Sequence, residues 1–128
     1  MASYKIQAVL DGHYLREVYH GNSGPVIVIR DGSKPSTFSI FQDDANSYSI
    51  DATMNSGSGT LVYWHASIQR WHLTFRPTHN AFTIQEINSD AAWTTPALGA
   101  DPQMLVRGLP NVPEQDLPTN VLFRLVPA

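Results

Sequence analysis

The chain has no cysteine in its 128 residues. That excludes disulfides, zinc–thiolate sites and thiol nucleophiles together. Charge is scarce as well: 15% of residues are charged, with 8 basic against 11 acidic, for a net of −3. No run of Lys or Arg offers a patch to a polyanion, so neither nucleic acid nor an acidic membrane surface is an expected partner. No apolar run approaches the length of a membrane span. The opening MASYKIQAVLDGHY also lacks the charged, apolar, then small order of a signal peptide. The expectation is a cytoplasmic protein without membrane insertion. Catalytic signatures are missing too. There is no G-x-S-x-G elbow and no phosphate-cradling glycine loop, and Asp43–Asp44 read as a turn rather than as carboxylates facing each other across a cleft. The five histidines, at 13, 20, 65, 72 and 79, have neither cysteine nor clustered carboxylates to complete a metal site. We therefore expect no enzyme activity, no cofactor and no metal.

Long amphipathic periodicity is the last absence. No dozen residues keep apolar positions at helical spacing, and nine prolines with eight glycines leave little room for a long helix. What recurs instead is short alternating or β-branched runs: YKIQAV, PVIVIR, FSIF, TLVYW, WHLTF, FTIQEI, QMLVR and VLFRL. Turn chemistry such as DGH, GNSGP, NSGSG and PTHN separates them. The chain is expected to be one all-β domain.

The runs repeat. YKIQ (4–7), YSID (48–51) and FTIQ (82–85) share one form, aromatic–x–Ile–polar, and FSI (38–40), WHL (71–73) and FRL (123–125) share another. Between these marks stand PVIVIR, TLVYWH and PQMLVRG. Three such units, about 4–46, 47–80 and 81–128, predict a β-trefoil, in which paired strands close a barrel and leave no free edge. The second unit is shortened: Tyr48 to Phe82 spans 34 residues, against 44 from Tyr4 to Tyr48. The third carries a Pro-rich loop over 109–120. An ordinary sandwich or jelly roll of about ten strands is the alternative.

The stretch YWHASIQRWHL (63–73) holds two of the chain's three tryptophans. Trp71 aligns with Phe38 and Phe123, all apolar, as a shared core layer requires. Trp64 aligns with Arg30 and Arg107, so an outward position is expected. Asp51 ends the strand YSID and is equally a turn former before TMNSGSG. Trp93, in DAAWTTP, reads either as a second displayed ring or as a plug at one end of the barrel.

The segment YSIDATMNSGSGTLVYWHASIQRWHLT resembles one repeat of a ricin-B-type lectin, in Asp51, Trp64 and the Gln–x–Trp pattern Gln69–Arg70–Trp71. The resemblance implies that Asp51 accepts sugar hydroxyls, that Trp64 stacks on the ring, and that Gln–x–Trp is structural. Such a site would suit a pyranose, whose C–H face an aromatic covers and whose vicinal hydroxyls a carboxylate receives. His65 and Gln69 lie beside these positions, and Trp93 would be a second platform. The first and third units have Ser36–Thr37–Phe38 and Val121–Leu122–Phe123 in place of Gln–x–Trp. In layout the chain is similar to small trefoil proteins of mushrooms, which include lectins and protease inhibitors. That resemblance implies glycans or glycoproteins as partners, with a homo-oligomer adding avidity. The alternative partner is a protease engaged by a surface loop. One candidate is the loop containing Asn22 and Ser23, though Gly–Asn–Ser–Gly equally suits a hairpin turn; the other is the loop over 109–120. A trefoil subunit that has lost sugar binding is the third reading.

Overall fold

The computed structural model describes residues 2–19, 25–30, 35–44, 47–54, 60–63, 69–86, 89–97 and 104–128. Among these residues the protein is all-β, with 3₁₀ turns as its only helical elements. Eleven strands follow in chain order: β1 (Ala2–Ala8), β2 (Tyr14–Tyr19), β3 (Pro25–Arg30), β4 (Phe38–Asp44), β5 (Ser47–Met54), β6 (Thr60–Tyr63), β7 (Gln69–Arg76), β8 (Ala81–Glu86), β9 (Ala91–Thr94), β10 (Leu105–Gly108) and β11 (Phe123–Pro127). All pairings are antiparallel, within one sheet that curls on itself. The pairings β1–β4, β4–β5, β5–β7, β7–β8, β8–β11 and β11–β1 form a closed circuit of six strands. The other five strands join above it. β2 pairs with β3, β3 with β6, β6 with β10, and β10 with β9.

Two turns show why the chain reverses where it does. After β1, Gly12 takes φ +76°, a conformation that lacks a steric cost only without a Cβ. Its N–H donates to the Ala8 carbonyl at 2.9 Å, and Asp11 Oδ1 receives the His13 N–H at 2.9 Å. Between β7 and β8, Pro77 to Asn80 form the turn that PTHN predicts. Asn80 takes φ 50°, which asparagine tolerates better than most residues. Its N–H donates to the Pro77 carbonyl at 3.2 Å.

The core lies inside the circuit. Ile6, Leu15, Phe38, Ile40, Trp71, Leu73, Ile84, Trp93, Met104, Val106 and Phe123 are all buried in one cluster. Phe38, Trp71 and Phe123, aligned by sequence as one inner layer, are 1%, 0% and 0% exposed. Strand alternation does the sorting: Trp71 and Leu73 are buried, while His72 between them and Thr74 after them are half-buried. Trp93 stands at the centre, edge-on to Trp71 at 5.8 Å and to Phe123 at 6.5 Å between ring centroids. Such edge-to-face pairs set positive ring edges against negative faces.

β8 breaks the simple alternation. Ala81, Thr83 and Ile84 are all fully buried, so both of its faces are covered. The outer cover is the Pro-rich segment. It folds into 3₁₀ turns at Glu114–Asp116 and Thr119–Val121. Leu117, Val121 and Leu122 then pack with Ala81, Val9 and Leu109 into a second apolar cluster.

Candidate functional site

Of the residues expected to hold a sugar, Asp51 and Gln69 fall on the paired strands β5 and β7. Asp51 lies on β5 and Gln69 opens β7; the register sets Asp51 opposite Arg70, and Ala52 opposite Gln69. The next pair is Ile50 with Trp71, and Trp71 is in the core. Asp51 and Gln69 are therefore one step out of register with each other, and strand alternation assigns their positions to opposite faces of this strand pair, so the register does not bring them together. Trp64 and His65 belong to the connection from β6 to β7 and lie outside the described residues. Asn22 and Ser23 do too.

Trp93 corrects the reading of a second displayed platform. It is fully buried, wedged against Trp71 and Phe123, and offers no ring face to a ligand. The cause is the packing of β9 on both sides: Ala92, Trp93 and Thr94 are consecutive buried residues, with the 3₁₀ turn Thr119–Val121 lying against the strand.

Sequence reasoning did not find a second polar constellation, on the outer side of β7 and β8. Glu114 Oε2 accepts two bonds from Thr78, one from the backbone N–H at 3.1 Å and one from Oγ1 at 2.8 Å. His79 Nε2 lies 2.8 Å from the Glu114 carbonyl oxygen. A carbonyl only accepts, so this ring nitrogen carries the proton. Arg76 Nη1 lies 3.9 Å from Glu114 Oε1, while its Nε and Nη2 donate to Thr83 Oγ1 and Gln85 Oε1, both at 3.1 Å. Thr83 in turn donates to Gln85 at 3.0 Å. The two bonds from Thr78 hold the Glu114 carboxyl below its ordinary pKa, with help from the charges of Arg76 and His79 and against a smaller opposing effect of desolvation. Glu114 thereby clasps the Pro-rich loop to the β7–β8 turn, 36 residues away. Beyond the clasp, Pro110, Asn111 and Pro113 are exposed and Val112 is 42% exposed.

Among the described residues no three His, Asp or Glu side chains group as metal ligands, and no helix is long and apolar enough to cross a membrane. Compared with known proteins, the chain matches no family model and no curated protein.

Proposed function

We propose that this chain is a non-catalytic glycan-binding module built as a β-trefoil, with its principal sugar site in the second unit. The fold part of this reading is supported by how the units share the sheet. Each gives its first and last strand to the six-strand circuit: β1 and β4, β5 and β7, β8 and β11. Each also gives one inner strand, β3, β6 or β10, to the pairings that link the units above the circuit. The second unit contributes one strand fewer among the described residues, in keeping with its shorter sequence.

The observation that carries the site is the β5–β7 register. It pairs Asp51 with Arg70, one step from the Ile50–Trp71 pair; with Trp71 in the core, alternation puts the Asp51 position on the side of the strand pair away from that core layer. Trp64 and His65 stand in sequence between β6 and β7. A carboxylate on β5 and an indole in the segment between β6 and β7 would supply the acceptor and the apolar face that a pyranose requires. Such a shallow site binds weakly, and useful affinity comes from several copies in an oligomer or on a multivalent glycoprotein. A broad glycan array tests the reading. Binding is expected for the native chain and loss of binding for Trp64→Ala with folding intact; a blank array with folded protein ends it.

A second reading, inhibition of a protease by an inserted loop, is favoured by the Glu114 clasp. Val112, held between two prolines on a loop already fixed to the sheet, would lose little conformational entropy on docking. Titration against trypsin-like and papain-like proteases, with Val112→Asp as the loss-of-function control, decides it. No inhibition at micromolar protein would remove this reading.

A further inference from the structure

Three buried polar atoms without a hydrogen-bond partner among the described residues fall in one part of the molecule: Trp93 Nε1, Thr95 Oγ1 and Asn120 Oδ1. Trp93 and Thr95 are two positions apart, on and just after β9, which puts them on the same side of that strand. Asn120 lies in the 3₁₀ turn Thr119–Val121, which packs against β9. The two backbones are joined there by the Thr95 N–H, which donates to the Asn120 carbonyl at 2.7 Å. The indole N–H can only donate, the amide oxygen can only accept, and the hydroxyl can do either. Buried polar groups are almost always satisfied, and three left over at one joint require a common explanation.

We propose that a single internal water molecule binds between β9 and the Thr119–Val121 turn. It accepts from Trp93 Nε1, donates to Asn120 Oδ1 and shares its third bond with Thr95 Oγ1. Three bonds is the usual number for a buried water, and a donor, an acceptor and a hydroxyl are the complement it needs. The site fastens the far end of the Pro-rich segment to the central tryptophan, whereas Glu114 fastens its middle to the β7–β8 turn. The inference is independent of any sugar or protease site.

Water-selective NOE and ROE spectroscopy on the ¹⁵N-labelled full chain tests it, with the Trp93 indole signal assigned by its loss in Trp93→Phe. A direct cross-peak from the Trp93 indole proton to long-lived water is expected. It should be lost or at least halved in Asn120→Leu, and weakened in the isosteric Thr95→Val. Absence of the cross-peak in the folded native chain overturns the proposal. So does a crystal structure in which the indole N–H bonds directly to a protein oxygen. A cross-peak of unchanged intensity in either folded variant overturns the three-partner geometry.

Discussion

Replacing Trp71 by alanine isolates the packing on which the whole circuit depends. The side chain is fully buried and meets Trp93 edge-to-face at 5.8 Å. Deleting a buried tryptophan costs roughly 3–5 kcal/mol, a figure that includes the cavity left behind. The ring pair with Trp93, worth about 0.5–1.5 kcal/mol beyond area burial, puts the expectation toward the upper end rather than adding to it. Domains of this kind are stable by about 5–15 kcal/mol, so the variant should lose a third or more of its stability. On the entropy scale of unfolding, the midpoint should fall by on the order of 10–20 °C. Urea denaturation followed by circular dichroism measures it, with an unchanged slope showing that the denatured state is the same. Trp71→Phe, which keeps an aromatic in the layer shared with Phe38 and Phe123, should recover part of the loss. A cost for Trp71→Ala below about 1 kcal/mol would refute the inner-layer argument, since no fully buried indole is so cheap to remove.

The remaining predictions concern the clasp, a turn and the proposed sugar site. Because the folded-state pKa of Glu114 lies below its ordinary value of 4.5, the unfolded chain binds more protons between the two values. Glu114 therefore contributes stability that is fully present above about pH 5 and is lost as pH falls through the folded pKa. Glu114→Gln should flatten the acid limb of a stability-versus-pH curve and should speed limited proteolysis within 109–116 at neutral pH; an unchanged acid limb would contradict the clasp. Asn80, at φ 50°, should accept glycine at little cost, whereas Asn80→Val should cost roughly 1–2 kcal/mol in thermal unfolding. Trp64→Ala should leave the unfolding midpoint within a few degrees of the native chain while removing glycan binding, as a surface side chain would.

Strand identity was legible because the signal is local. PVIVIR, WHLTF and FTIQEI each declare a strand within a few residues, and β3, β7 and β8 lie where those runs fall. The layer of Phe38, Trp71 and Phe123 was legible for the same reason, since one motif recurs three times. Trp93 was not. Its neighbours Ala91, Ala92 and Thr94 do not alternate, and both sides of β9 are covered by parts of the chain that are distant in sequence. The stretch 109–120 reads as surface because prolines and acidic residues dominate it, yet Leu117 is buried in a cluster with Ala81. The bonds from Thr78 to Glu114 cross 36 residues, and no local pattern announces such a pair. At the proposed sugar site, sequence alone suggested Asp51 and Gln69, and only the strand register shows that their positions fall on opposite faces of the β5–β7 pair.

The circuit closes through β1 and β11, where Ile6 faces Leu125 across 119 positions of sequence (125 − 6). A nascent chain can zip β2 onto β3 or β7 onto β8 early, but the first strand must wait for the last before its own edge is occupied. Assembly of this kind is slow for its size, and the waiting edge is open to unwanted pairing with other chains. Strain on this protein in a crowded cell should therefore show itself during synthesis, as aggregates seeded by an unpartnered opening strand, more than in the finished molecule.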